Sequence, residues 1–189
     1  MKVLVLGGGG REHALVWKLR QSPRITQLVC APGNGGIADD AEVAPADLKS
    51  LDSIVSLANR LQPDLTVVGP ELPLTLGVVD EFTRRGWPIF GPTQAASRLE
   101  LSKSFAKEFL KRHHIPTAHF AICDSMDQVR SALGHFHTPV VVKADGLAAG
   151  KGVVIARSKE EAASVSAEML SGRMVGDAGA RVVLEECLQ

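Results

Sequence analysis

Apolar runs and amphipathic stretches alternate along the first half of the chain. Short runs rich in Val, Leu and Ile end at glycine or proline, as expected of strands buried in a parallel sheet. We predict strands at 3–6, 28–31, 65–68 and 88–92. Between them, apolar residues recur at helical spacing. We predict helices at 11–20, 51–61 and 77–85. This alternation of strand and helix predicts an α/β fold with a doubly wound parallel sheet.

The second half of the chain has a different pattern. A helix at 94–101 leads into a helical stripe of Leu101, Phe105, Phe109 and Leu110, which could connect two domains. We then predict a smaller α+β unit, with a strand at 119–122, a helix at 126–133, a hairpin at 140–155, a helix at 160–170 and a strand at 181–185. The chain stops within or just after this last strand, so we expect a fragment of a longer polypeptide.

Composition narrows the class of protein. Of 189 residues, 45% are hydrophobic, and 21 basic side chains balance 21 acidic ones. No global positive field exists to hold nucleic acid or an anionic membrane, so any phosphate site has to be local. No apolar run approaches the ~20 residues of a membrane span. Three scattered cysteines (Cys30, Cys123 and Cys187) fit a reducing compartment, and we expect a cytoplasmic protein.

The segment 140–155 carries the clearest chemical signal. Two β-branched runs flank a loop of glycine and alanine that contains Lys151 and follows Lys143. Small residues leave backbone N–H groups open to an anion, and a lysine at the strand end can reach phosphates as a point charge. The loop is not a P-loop, because Gly146 and Gly150 enclose three residues and Gly152 stands where Ser or Thr would bind magnesium. The alternative is a flexible hairpin with surface lysines.

Three turns converge on one edge of the predicted sheet. The first, at 7–10, resembles a dinucleotide fingerprint, but Glu12 stands at the third glycine position and no acidic residue ends the second strand. A dinucleotide site, a purely structural turn and another sugar-phosphate site remain open interpretations. The turns at 32–36 and 69–71 follow the second and third strands, so they favour a ligand site at this edge.

Read together, these segments resemble the glycinamide ribonucleotide synthetases (phosphoribosylamine–glycine ligases), a family of ATP-grasp enzymes in purine biosynthesis. The resembling stretches keep the family's order over the whole chain and lie at 9–15, 31–34, 68–71, 90–92, 102–103, 115–118 and 142–153. The Lys143 loop alone indicates the ATP-grasp group, and the Arg11-Glu12-His13 turn narrows the resemblance to this ligase.

The resemblance implies the architecture. It implies a Rossmann-like pre-ATP-grasp domain over 1–100, a linking segment over 101–121 that starts the ATP-grasp, and a lid subdomain over 122–189. Family members run to roughly twice this length, so we expect the isolated fragment to be inactive.

The resemblance also implies the reaction and its residues. Glycine, 5-phosphoribosylamine and ATP would give glycinamide ribonucleotide, ADP and phosphate through a glycyl phosphate. The residues implied to bind ATP are Lys103, Lys143, Gly146, Leu147, Ala148, Ala149, Gly150, Lys151, Gly152, Glu185, Glu186 and Leu188. Those implied to face phosphoribosylamine are Gly9, Gly10, Arg11, Glu12, His13, Pro32, Gly33, Asn34, Pro70 and Glu71. Ligands for Mg²⁺ or Mn²⁺ are expected beyond Gln189, with no metal ligand and no assigned catalytic residue before it.

Two other hypotheses stay open from the sequence. One is a stand-alone nucleotide-binding or regulatory module, and the other is a dinucleotide-dependent oxidoreductase, which Glu12 disfavours. We expect small-molecule substrates, no nucleic-acid or membrane partner, and a monomer.

Overall fold

The computed structural model describes residues 1–148 and 150–188. The chain divides into two compact units, Met1–Ser97 and Arg98–Gln189. Among the described residues, no helix combines the length and the apolar character needed to cross a membrane.

The first unit is built on a parallel sheet. Its strands are β1 (Lys2–Gly7), β2 (Gln27–Pro32), β3 (Glu42–Val43), β4 (Leu65–Val68) and β5 (Ile89–Phe90). The helices of this part of the chain are α1 (Gly10–Arg20), α2 (Leu51–Leu61), α3 (Glu71–Thr75), α4 (Val78–Arg84) and α5 (Gln94–Leu101). The strand order is β3-β2-β1-β4-β5, with every pair parallel. The predicted doubly wound sheet is therefore confirmed.

Side chains along β1 alternate between the two faces of the sheet, and both faces are buried. Leu4 and Leu6 belong to one apolar cluster with residues of α2 and α4. Val3 and Val5 belong to another, which contains Val16 of α1. Successive side chains of a strand point to opposite faces, so helices cover the sheet on both sides.

Two elements of this unit differ from the sequence prediction. Strand β3 is a fifth strand where four were predicted. The prediction missed it because Glu42 and Val43 are both exposed and show no hydrophobic pattern. It forms through backbone pairing with Val29 and Cys30. The short helix α3 had no predicted bounds, since five residues are too few to show helical periodicity.

The second unit is an α+β layer, as predicted. It contains α6 (Lys103–Arg112), β6 (Phe120–Cys123), α7 (Met126–Leu133), β7 (Val140–Ala144), β8 (Val153–Ala156), α8 (Lys159–Leu170) and β9 (Val182–Glu186). The sheet order is β6-β9-β7-β8 with antiparallel pairs. Strands β7 and β8 form the predicted hairpin around the glycine-rich loop.

The two faces of this sheet have different roles. Val140, Val142 and Leu184 point into a core completed by side chains of α7 and α8. By the alternation of strands, Lys143 and Glu185 point to the opposite face. The fold thus places two charged side chains on the face away from its apolar core.

Candidate functional sites

The carboxyl ends of β1, β2 and β4 bring three turns together in the first unit. Gly33 N–H donates to Gly7 O at 3.0 Å, and Asn34 Nδ2 donates to Gly8 O at 2.9 Å. The Asn34 side chain also accepts a bond from Ile37 N–H at 2.9 Å. The turn after β2 is therefore fastened to the turn after β1 by backbone and side-chain bonds.

The crevice between β1 and β4 is the point at which the strand order reverses. Ligands of open α/β sheets bind at such points. Arg11 spans it, with Nη1 2.8 Å from Glu71 Oε1 and 3.4 Å from Gly69 O. The hydrogen bond from Arg11 lowers the pKa of Glu71 below its ordinary value. The turn after β4 thus carries an ionised carboxylate beside a guanidinium.

Glu12 lies beneath these turns. It is buried, and its Oε2 accepts a hydrogen bond from Gly9 N–H at 2.7 Å, so this side chain satisfies the backbone N–H of the N-cap residue of α1. A Cβ on Gly7 or Gly69 would collide with this side chain. The carboxylate therefore occupies the space that the glycines leave free.

His13 is oriented by a neighbouring carboxylate. Its Nε2 lies 3.3 Å from Asp40 Oδ2, and Arg20 forms an ion pair with the same carboxylate. Asp40 is 18% exposed, while His13 is 38% exposed. Sequence reasoning missed Asp40, which follows a single turn of 3₁₀-helix and shows no pattern of its own.

The predicted residues of this unit are thus brought to one edge of the sheet. Gly9, Gly10 and Arg11 are exposed at the start of α1, next to the turn that contains Pro32, Gly33 and Asn34. Pro70 precedes α3, and Glu71 begins it. Backbone N–H groups, a guanidinium and an imidazole on one edge make an arrangement suited to a sugar phosphate.

The second candidate site lies on the open face of the antiparallel sheet. Lys143 Nζ is 2.9 Å from Glu185 Oε1, and Lys107 Nζ of α6 is 2.9 Å from Glu185 Oε2. The side chain of Glu185 is 6% exposed. Two ammonium groups therefore compensate a carboxylate that is buried away from water. Lys107 also donates to Thr117 Oγ1 at 2.7 Å.

Lys103 lies at the base of the glycine-rich loop. Its Nζ donates to Gly146 O at 3.1 Å and lies 3.4 Å from Asp145 O. Burial lowers the pKa of Lys103 below its ordinary value, Lys143 acts in the same direction, and Asp145 opposes both. An anion arriving here would favour the charged ammonium.

Asp145 ties the loop to the start of α6. Its Oδ1 accepts from Ser104 N–H at 2.7 Å, and Ser102 Oγ and Ser104 Oγ donate to the carboxylate. Ser102 is also the N-cap of α6, accepting from Phe105 N–H. Sequence reasoning gave Asp145 no role, although its place between Lys143 and Gly146 marked it as part of the motif.

The loop itself combines exposed and closely packed residues. Leu147, Gly150 and Lys151 are exposed, and Gly150 has a φ of +81°. Gly152 is buried, and a Cβ there would lie 2.6 Å from the Cβ of Ala148. The predicted ATP-binding residue Ala149 lies outside the described residues.

The neighbouring residues Glu185 and Glu186 have different partners. Glu185 faces the lysines, whereas Glu186 Oε1 accepts from His119 N–H at 2.9 Å at the edge of the sheet. Leu188 is 70% exposed beyond β9. Of the predicted side chains, the structure therefore groups Lys103, Lys143 and Glu185 but not Glu186.

An open apolar surface adjoins the lysines. Val153 pairs with Lys143 and Ile155 pairs with Val141, so both share the face of Lys143. They are 47% and 57% exposed. Sequence reasoning used these residues only as strand formers, and their alternate exposure became visible once the register was known.

Two surface cavities lined by described residues lie in the second unit. A cavity of about 470 Å³ is lined by Lys111 and residues 114–120, and one of about 260 Å³ by 119, 135–139, 186 and 187. Of the predicted residues, these two cavities include Glu186. Among residues 1–148 and 150–188, no group of three His, Cys, Asp or Glu side chains is arranged to hold a metal ion.

Comparisons with known proteins agree along the whole chain. The phosphoribosylamine–glycine ligase of Xanthomonas axonopodis pv. citri is 54% identical over 190 residues, covering 100% of this chain and 44% of that protein. The crystal structure of the phosphoribosylamine–glycine ligase of Thermotoga maritima matches with a TM-score of 0.83 at 32% identity, again over 100% and 44%. The biotin carboxylase domain of Hydrogenobacter thermophilus 2-oxoglutarate carboxylase shares the fold, with a TM-score of 0.76 at 22% identity, over 100% and 44%.

The chain spans less than half the length of these relatives. The N domain of phosphoribosylglycinamide synthetase matches residues 1–100, and the ATP-grasp (A) domain of the same enzyme matches residues 101–189. The chain therefore belongs to the phosphoribosylglycinamide synthetase family and corresponds to an N-terminal portion of it.

Proposed function

We propose that the whole protein ligates glycine to 5-phosphoribosylamine with ATP, giving glycinamide ribonucleotide, ADP and phosphate. The observation that carries the proposal is the grouping of Lys103 and Lys143 at a glycine-rich hairpin, in a chain of the phosphoribosylglycinamide synthetase family. Its relatives named phosphoribosylamine–glycine ligase reach 54% identity.

The second unit supplies the ATP side of this proposal. Lys103 and Lys143 would neutralise the phosphates, and the hairpin loop would cover them. The open surface of Val153 and Ile155 offers an apolar platform for a nucleobase. The proposed ATP-binding set is Lys103, Lys143, Gly146, Leu147, Ala148, Ala149, Gly150, Lys151, Gly152, Glu185, Glu186 and Leu188.

The first unit supplies the phosphoribosylamine side. Arg11 and the backbone at the start of α1 suit a phosphate, and the turns after β2 and β4 suit ribose hydroxyls. The proposed set is Gly9, Gly10, Arg11, Glu12, His13, Pro32, Gly33, Asn34, Pro70 and Glu71. Because Glu12 is buried and already bonded to Gly9, we propose that it acts by shaping the turn.

The chemistry needs positioned charge more than a protein nucleophile. A glycine carboxylate oxygen would attack the γ-phosphorus of ATP, giving glycyl phosphate and ADP. The amine of phosphoribosylamine would then attack the acyl carbon, phosphate would leave with the bonding electrons, and the nitrogen would release one proton to water or to the departing phosphate. Fixed ammonium groups at the phosphates stabilise the charge that shifts in the first step.

Among the described residues, no three His, Cys, Asp or Glu side chains are grouped to hold a metal ion. We propose that Mg²⁺ or Mn²⁺ is held by side chains of the whole protein that lie outside this chain.

We propose the following organisation for this chain. Residues 1–100 form the pre-ATP-grasp domain, 101–121 the linking start of the ATP-grasp, and 122–189 its lid subdomain. The whole protein would act as a monomer in the cytoplasm. The three cysteines of this chain are free thiols, which agrees with a reducing compartment.

The test is phosphate release from ATP by the complete gene product, with glycine and phosphoribosylamine each omitted in turn. We expect release to require both, and we expect none from the 189-residue chain alone. Lys143→Met should reduce kcat/KM for ATP at least about tenfold by removing a phosphate contact. Lys159→Met, an exposed lysine at the start of α8, is the matched control.

Release that needs neither co-substrate would contradict the ligase. Binding of ATP without turnover by the complete gene product would favour the stand-alone nucleotide-binding module instead.

A further inference from the structure

Lys107 is the buried cation of the second unit's polar face. The residue is 9% exposed, although it belongs to α6 between Lys103 and Lys111. Its Nζ contacts Glu185 Oε2 at 2.9 Å and Thr117 Oγ1 at 2.7 Å, and it lies 5.6 Å from the centre of the Phe120 ring. Sequence reasoning passed over it, because its spacing from Lys103 is that of an ordinary helix surface.

A buried ion pair of this kind is weak evidence for stability. Removing charges from water is costly, and apolar replacements of such pairs are often neutral or stabilising. The Lys107–Glu185–Lys143 cluster therefore needs an explanation other than holding the fold together.

The two lysines of the cluster are not equivalent. Each lysine lies 2.9 Å from one oxygen of Glu185, but the side chain of Lys143 is 27% exposed and that of Lys107 only 11%. Lys107 also donates a hydrogen bond to Thr117, whereas Lys143 lies beside the exposed surface of Val153. Lys143 is therefore the partner that can leave, and Lys107 the one that stays.

We propose that Lys107 is a positioning residue for ATP, which keeps Glu185 compensated while Lys143 turns from that carboxylate to the phosphates. The inference rests on the proposed role of Lys143 in ATP binding. Without Lys107, moving Lys143 would leave Glu185 buried and uncompensated. The carboxylate would then retain Lys143 and compete with the phosphates.

The test compares ATP binding by calorimetry in the complete protein and its variants. Lys107→Met should raise the Kd for ATP at least about tenfold. Glu185→Gln removes the buried anion that competes for Lys143, so adding Lys107→Met to Glu185→Gln should raise the Kd by less than about threefold over Glu185→Gln alone. Lys107→Arg, which keeps the charge, should bind ATP within about threefold of the wild type. Lys159→Met is again the exposed control.

The outcomes separate this inference from the proposed function. If the wild type binds ATP and Lys107→Met binds it equally well, the positioning role is wrong and the proposed function stands. An effect of Lys107→Met that is as large in the Glu185→Gln background as in the wild type would also overturn the role, since a structural defect would not depend on Glu185. If Lys107→Met does not fold, as shown by circular dichroism, Glu185→Gln/Lys107→Met is compared with Glu185→Gln, and a Kd more than about threefold higher in the double variant overturns the role. A wild-type protein that binds no ATP would overturn both.

Discussion

At the scale of single residues, Glu12 explains why a glycine-rich turn of dinucleotide type lacks its third glycine. The side chain fills space between the ends of β1 and β4 and bonds back to Gly9 N–H. Burial raises the pKa of the neighbouring Cys30 thiol to about 11, and the Glu12 carboxylate acts in the same direction. Glu12 is thus an internal support of the turn.

We therefore expect Glu12→Ala to destabilise the first unit by about 2 kcal/mol, the usual value for losing a hydrogen bond to a buried charge. Both tryptophans of the chain, Trp17 and Trp87, lie in this unit, so urea unfolding followed by tryptophan fluorescence reports it. The exposed Glu42→Ala is the control. An unfolding midpoint that Glu12→Ala leaves unchanged would show that Glu12 does not support the turn.

At the scale of elements, the junctions after β1 and β2 depend on close backbone approach. A Cβ on Gly8 would lie 2.5 Å from Gly33 O, which is backbone and cannot rotate away. Gly10, two residues later, has no heavy atom within 4 Å of such a Cβ and begins α1. The two glycines therefore serve different purposes within one turn.

This difference predicts opposite effects of the same substitution. Gly8→Ala should destabilise the first unit by about 1–3 kcal/mol through overpacking. Gly10→Ala should be neutral, or stabilising by up to about 1 kcal/mol, because alanine restricts the unfolded chain and favours helix. Urea midpoints from tryptophan fluorescence compare the two directly. Equal losses would mean that the turn tolerates no side chain at either position.

At the scale of the whole molecule, each unit has an apolar core of its own. Phe82 is fully buried in the first unit and packs edge-on against Trp87 at 5.3 Å between ring centroids. Met169 is fully buried in the second, against the β7 and β9 face. Units with separate apolar cores can unfold separately.

We expect core truncations to act on one unit each. Phe82→Ala should cost about 3–5 kcal/mol and lower the fluorescence midpoint of the first unit, while Met169→Ala should cost about 2–5 kcal/mol in the second. Hydrogen exchange read by mass spectrometry would show faster exchange confined to the unit that carries the substitution. Faster exchange in both units for either variant would mean that they unfold as one.

The sequence by itself determined the local structure and much of the chemistry. The parallel sheet, the α+β unit and the hairpin around Lys143 follow from patterns within a few neighbouring residues, which is the range over which periodicity acts. Only the tertiary structure decided which remote side chains meet. Strand β3 exists through its pairing with β2, and Lys107 becomes part of the polar face through Glu185. Such contacts depend on register and packing between distant segments, and a single sequence carries no local signal for them.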